Sequence, residues 1–312
     1  MIEIMTEHRD PATVPTSHPG TVPPASRTVP VPAGVGATAL FIAALRAEES
    51  ARPDSLFGRD PLAELVAAGI DGDALRLWRD DDGAPSPLGR ALAGYVAMRT
   101  RYFDDYLAGA VGAGVRQVVV LGAGVDGRAY RLALPGATLF EIDTADVTGY
   151  RCDLVAAGGL TPTTPARPVV ADLADDGWPE ALLGAGFDPA APTAWLAEGL
   201  LLYLPGEACA ALLDTVGRLS AAGSELATEY PQGDLAAVIA GIDSGPAVTS
   251  LIRGFLAAGP QLPPEQWLGR AGWSVDATGI AAWATGLDRT PPSWSLVPDF
   301  TWWLTRAATG RR

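Results

Sequence analysis

Lysine is missing from this chain: all 22 basic residues among its 312 are arginine. Without a lysine amine, Schiff-base chemistry and with it a pyridoxal enzyme are excluded, and no Tyr-x-x-x-Lys catalytic pair can be built. Histidine is nearly missing too. Both copies, His8 and His18, fall in a Pro/Thr/Val-rich leader. A folded part without histidine argues against Ser-His triads and most transition-metal sites, so no metal is expected. Any general base must be Asp, Glu or Tyr, or the reaction must need none. The two cysteines, Cys152 and Cys209, are too few for a disulfide framework or a zinc site. Cys209 lies in an expected helix over 207–219 and reads as a small core residue. No run of 18 or more uncharged apolar residues occurs, so no membrane span is expected. No apolar run follows the N-terminal charges either, which makes cytoplasmic localisation the expectation. A net charge of −14 lacks the basic face that nucleic acid requires. A small molecule is the expected partner, and self-association is left open.

What is present begins with size: 48% hydrophobic content over this length suffices for a large single core. Residues 1–36 show no sustained periodicity and read as a disordered arm, leaving 37–312 as one domain. Helical spacing is expected over 37–50, from Pro61 with Asp60 as N-cap, and over 87–109. Strands at 117–121, 137–142, 168–170, 193–197 and 225–229 then alternate with helices at 127–133, 145–157, 179–183 and 206–219. That order predicts an α/β fold with a doubly wound, mostly parallel sheet and added N-terminal helices. A Gly/Pro-punctuated helical stretch, about 231–268, reads as a lid. The last strands are expected at Trp273-Ser-Val and Trp302-Trp303-Leu-Thr-Arg.

The most informative segment runs from Val118 to Asp143. An apolar strand leads into Gly122-Ala123-Gly124-x-x-Gly127, and a second strand ends on Asp143. Glycines admit a ligand that a Cβ would exclude. An acid about 20 residues on can accept from two ribose hydroxyls. A nucleoside-containing cofactor follows, either a dinucleotide or S-adenosylmethionine, since the glycine signature alone is weakly specific. Asp143, Asp172 and Glu198 mark successive strand ends, and Glu229 a fifth. Each alone could be a helix cap or a solvated charge; together they are harder to dismiss. Asp172 with the Leu173 backbone suits an adenine. Glu198, just past the fourth strand, favours a cationic cofactor end, the ammonium and sulfonium of S-adenosylmethionine. The acids therefore favour the methyl donor over a nicotinamide cofactor.

Five blocks carry a family resemblance: Arg99-Thr-Arg101-Tyr-Phe-Asp-Asp105, Leu121-Gly-Ala-Gly-Val-Asp-Gly-Arg-Ala-Tyr-Arg131, Phe140-Glu-Ile-Asp143, Ala171-Asp172-Leu173 and Ala197-Glu198-Gly-Leu-Leu-Leu-Tyr203-Leu. In order and spacing they resemble the leucine carboxyl methyltransferase family, and within it the actinobacterial branch with its polyketide carboxyl methyltransferases. Arg46-Ala-Glu-Glu-Ser50 and Leu56-Phe-Gly-Arg-Asp60-Pro61 are similar to that branch as well. The resemblance implies a class I, Rossmann-like methyltransferase using S-adenosylmethionine. It implies Arg99 or Arg101 on the cofactor carboxylate, the Gly122-Ala123-Gly124 loop under the methionine moiety, Asp143 on the ribose, Asp172 and Leu173 on the adenine, and Glu198 at the amino-acid end. For either arginine, a salt bridge to Asp104 or Asp105 is the plain alternative. The chain departs from the family at Gly127, where threonine is usual, at Thr144-Ala145, where a proline often stands, and at Arg151, where lysine is common.

A carboxylate acceptor is already an anion at neutral pH and needs no base, which suits a core without histidine. Methylation of a carboxylate on a small hydrophobic secondary metabolite is the expectation. Were a hydroxyl or phenol the acceptor, Glu198, Tyr203 or Glu229 would have to take its proton. Glu198 and Tyr203 are the expected catalytic residues. A nicotinamide oxidoreductase and a non-methylating protein on the same fold remain as alternatives. Of the tryptophans crowded near the C-terminus, Trp267 is the one expected to line a substrate pocket.

Overall fold

The computed structural model of the protein describes residues 35–70, 84–242 and 259–309. Residues 1–34 of the expected arm, with His8 and His18, and residues 243–258 of the expected lid lie outside the described residues.

Short apolar runs bounded by glycine, proline and acidic residues form strands β1 (Gln117–Leu121), β2 (Thr138–Asp143), β3 (Ala166–Val170), β4 (Thr193–Ala197), β5 (Glu225–Gln232), β6 (Trp273–Gly279) and β7 (Thr301–Thr309). They make one sheet in the order β3-β2-β1-β4-β5-β7-β6. The first five strands are parallel, and β7 runs antiparallel to both β5 and β6. Alternation within the strands explains the two apolar layers. Val118, Val120, Leu139, Leu196 and Ala227 face one layer, while Val119, Leu121, Phe140, Trp195 and Leu226 face the other. Strands covered on both faces need not alternate with polar residues, which is why β1 reads Val-Val-Val-Leu. The edge strand β3 carries Pro168 and is largely exposed, as an edge tolerates.

Among the described residues three helices precede the sheet: α1 (Val35–Ser50), α2 (Pro61–Gly69) and the long α3 (Pro87–Gly112). Caps fix the latter two. Asp60 accepts from the Ala63 amide at 3.0 Å, and Ser86 from the Gly89 amide at 3.1 Å, each followed by proline at the first helical position. Then follow α4 (Arg128–Arg131), α5 (Ala145–Gly158), α6 (Trp178–Gly184), α7 (Gly206–Arg218), α8 (Leu235–Gly241), α9 (Pro264–Arg270) and α10 (Ile280–Gly286). The helix expected over 127–133 is only four residues long; the chain ahead of Pro135 is steered away from helical geometry. Cys209 is fully buried in α7. Among the described residues no helix is long and apolar enough to cross a membrane.

The order of strands reverses between β1 and β4. Ligands in open α/β sheets lie outside the carboxyl ends of the strands at such a point.

Candidate active site

A cavity of about 600 Å³ opens at this point, lined by the loop after β1, the ends of β2 and β4, and residues of α1, α3, β7 and the segment before it. Gly122 and Gly124 both hold positive φ, +65° and +55°. A Cβ at Gly122 would come within 3.1 Å of Leu200, and one at Gly124 within 3.1 Å of Ala39, so side chains would both strain and crowd this loop. The loop is tied to Asp143: the Gly124 amide donates to Asp143 Oδ2 at 2.6 Å, and the Thr144 amide to Oδ1 at 2.8 Å. Oδ2 keeps a further acceptor site, and Oδ1 also takes a long contact from the Thr144 hydroxyl at 3.4 Å. Asp172 is exposed and accepts from the Ala174 amide at 2.9 Å, with Leu173 half-buried beside it.

Beneath this loop lies a buried ionic cluster. Arg99 Nε meets Glu198 Oε1 at 2.8 Å, and Arg128 Nη2 meets Glu198 Oε2 at 2.6 Å. Arg128 also pairs with Asp126 at 2.5 Å and Asp104 at 2.9 Å. Arg46 binds Asp60 at 3.0 Å and the Val125 carbonyl at 2.6 Å, while Arg131 joins Asp104 to Asp60. Burial alone would push the Glu198 carboxyl up, but Arg128 and then Arg99 outweigh it and hold it below the ordinary value. Asp126 behaves likewise: burial opposes its charge, and Arg128 and Arg46 prevail. Burial works against the Arg99 charge, yet Tyr95, Glu198 and Glu229 raise its pKa above the usual arginine value.

The other half of the cavity is apolar. Tyr95, Trp294 and Trp302 form a wall, with Tyr95 and Trp302 ring centres 4.7 Å apart, faced by Phe41, Ile42, Leu88 and Leu92. At its back the Glu229 carboxylate is fully buried in β5. Tyr203, in the 3₁₀ turn Leu201–Tyr203, lines the cavity and bonds Thr38; burial chiefly raises its hydroxyl pKa.

The sequence-expected residues Arg99, Gly122, Ala123, Gly124, Asp143, Asp172, Leu173, Glu198 and Tyr203 thus line one cavity. Arg101 does not join them. It pairs with Asp105 at 2.8 Å one helical turn on and donates to the Leu56 carbonyl. Trp267 is not in the cavity either: its ring packs on Tyr230 with centres 5.4 Å apart, and Trp294 and Trp302 take the wall instead. Sequence reading missed Tyr95, Arg46 and Asp126. Tyr95 could have been found, since it stands four residues before Arg99 and so shares its helix face.

The model of the leucine carboxyl methyltransferase family matches residues 39–217. A curated relative from Mycolicibacterium paratuberculosis (strain ATCC BAA-968 / K-10), named as a candidate S-adenosyl-L-methionine-dependent methyltransferase, is 50% identical over 202 residues, 62% of this chain and 64% of the relative. The chain therefore spans a little under two thirds of that relative's length. Another so named, from Parafrankia sp. (strain EAN1pec), is 44% identical over 254 residues, 80% of this chain and 81% of the relative. Among solved structures, a candidate methyltransferase from Thermobifida fusca YX superposes with a TM-score of 0.53 at 16% identity, covering 85% of this chain and 97% of that one. That likeness is one of fold.

Proposed function

This chain belongs to the leucine carboxyl methyltransferase family, and on that premise we propose that it transfers the methyl group of S-adenosylmethionine to a carboxylate of a small hydrophobic metabolite. Residues 37–312 then form the catalytic domain, with the stretch about 231–268 as its cover. Leu235 on the cavity wall supports that role for the cover.

The residues present fit the cofactor. Asp143 has an acceptor site left on Oδ2 for one ribose hydroxyl, and a second hydroxyl would displace the long Thr144 contact at Oδ1. Asp172 with Leu173 offers an acceptor and an apolar face to the adenine. Four arginines (Arg46, Arg99, Arg128, Arg131) face five carboxylates (Asp60, Asp104, Asp126, Glu198, Glu229) in the ionic cluster, an excess of one negative charge. A buried excess of this sign suits a cationic ligand end. Arg99 would hold the cofactor carboxylate, and Glu198 would lie by the ammonium. When bound, S-adenosylmethionine supplies a methyl group on a sulfonium, open to in-line attack by an oxygen about 3 Å away.

One observation carries the choice of acceptor: among the described residues the cavity presents no poised base on its acceptor side. Glu198 is gripped by two arginines and held below the ordinary carboxyl range, and Glu229 is tied to its donors. Burial raises the pKa of Tyr95 and Tyr203, so neither readily gives up its own proton to become a phenolate base. Glu198 and Tyr203 would then act by position rather than by proton transfer. An acceptor that ionises by itself meets this arrangement; a phenol or alcohol does not. The test offers one hydrophobic carboxylic acid and one phenol of the same ring system with labelled cofactor. The expected product is an ester whose label is released by mild base, and a base-stable ether as sole product would overturn the reading.

A further inference from the structure

The roles above leave Glu229 without a task, although four donors converge on it. Its Oε1 accepts from the Gly199 amide at 2.7 Å and from Arg99 Nη1 at 3.3 Å. Its Oε2 accepts from the Tyr95 hydroxyl and from Trp302 Nε1 at 2.5 Å. The two oxygens therefore serve two neighbourhoods. Oε1 holds the turn after β4 and the arginine of the cofactor side, and Oε2 holds the aromatic wall of the acceptor side. The Tyr95 hydroxyl closes the circuit by accepting from Arg99 Nη1 at 3.4 Å. Folding alone does not call for this device. Apolar side chains of similar volume replace buried ionic groups with little or no loss of stability, and the surrounding rings would pack on them. What a carboxylate adds is direction: it draws the polar ends of Tyr95 and Trp302 inward, away from the cavity.

We propose that Glu229 is the positioning residue that links the two halves of the site, an inference that rests on the cofactor seat described above. It sets Arg99 for the cofactor carboxylate and turns ring faces, rather than a phenol hydroxyl and an indole N–H, toward the acceptor. The acceptor body that fits such a wall is apolar and offers π or aliphatic surface. Two consequences follow. Engagement of Arg99 by a cofactor carboxylate redistributes its contacts with Glu229 and Tyr95, so the Trp302 indole senses the cofactor through Glu229. Loss of the Glu229 charge loosens both halves together.

The test uses the full chain with ¹⁵N-labelled tryptophan and S-adenosylhomocysteine as the probe. The Trp302 indole resonance is assigned by its disappearance in Trp302→Phe. In the wild type it is expected far downfield, as a donor to a carboxylate, and to move in proportion to probe occupancy. In Glu229→Gln it should start upfield, respond little, and accompany a probe Kd raised about ten-fold, the size of one charged hydrogen bond. Should Glu229→Gln fail to fold, Tyr95→Phe keeps the ring and the Oε1 contacts while cutting one of the two links, and is expected to halve the response or better. A Trp302 signal that stays fixed while calorimetry shows saturation overturns the proposal. So does an equal shift in wild type and variants, which would mean direct contact with the probe. No probe binding at all would instead overturn the cofactor reading on which the proposal stands.

Discussion

Arg99 and Glu198 meet at 2.8 Å with side chains only 7% and 9% exposed, joining the long helix α3 to the residue that follows β4. Little of either side chain meets solvent, and each has one further charged partner, Glu229 for Arg99 and Arg128 for Glu198. Removing one partner of an isolated buried pair costs about 3–5 kcal/mol, and the cost is smaller here because Glu229 still pairs with Arg99 and Arg128 with Glu198. Glu198→Ala, which takes one partner from both Arg99 and Arg128 but leaves each another carboxylate, is expected to lower stability by about 1.5–3 kcal/mol in urea unfolding. A loss below about 1 kcal/mol would show the cluster to be open to water.

Asp143→Ala should weaken S-adenosylhomocysteine binding by about 1.5–3 kcal/mol, as charged hydrogen bonds to two hydroxyls are lost. The same substitution releases the Gly124 amide, so the glycine loop should exchange its amide hydrogens faster. An unchanged dissociation constant in a folded variant would remove Asp143 from the ribose.

Arg101 serves as the internal control for Arg99. Its pair with Asp105 is about 40% exposed on both sides, at 42% and 39%, and lies one turn apart on a helix. Such pairs contribute about 0.3–0.5 kcal/mol. Arg101→Ala should leave probe affinity within about two-fold, whereas Arg99→Ala should abolish detectable binding in calorimetry.

Glu141 gives the site a pH signature. Burial pushes its carboxyl up to about 7, only partly offset by Arg151 at 3.4 Å. Its folded pKa thus exceeds its unfolded value near 4.5, so the folded state binds the proton more tightly. The stability contribution is fully present below about pH 4.5 and is lost as pH rises through about 7. Relative to Glu141→Gln, the wild type should lose up to roughly 3 kcal/mol between pH 5 and 8 in denaturant titrations. A difference independent of pH would show that Glu141 titrates as an ordinary surface acid.

Deleting residues 1–34 should leave melting temperature and probe affinity near those of the full chain. Deleting through Ile42 should abolish binding, because Thr38, Ala39, Phe41 and Ile42 form one side of the cavity. A large fall in melting temperature for the shorter deletion would show that the arm docks on the domain.

The strand-end half of the cavity was legible in the sequence because it is local. Gly122, Asp143, Asp172 and Glu198 each follow a strand whose apolar run is plain, and a parallel sheet gathers such ends without further information. The aromatic half was not legible, since it depends on pairing between distant segments. Tyr95, Glu229 and Trp302 meet only because β7 lies antiparallel on β5, placing Pro231 opposite Trp302. That pairing also extends β5 to Gln232, three residues past the expected end at Glu229. Glu229 is therefore a mid-strand residue rather than a strand-end acid. Trp267 misled because helix α9 turns it to the Tyr230 side of the sheet, a choice of face that its neighbours in sequence do not announce.

The single negative charge left over in the ionic cluster bears on the proposed reaction beyond the binding of its donor. In the proposed transfer the donor's sulfonium would become a neutral thioether, so the attraction that draws the donor to the cluster would be cancelled by the reaction itself. Because the cluster is buried, added salt screens this change weakly. Exchange of spent for fresh cofactor would thereby be favoured by charge.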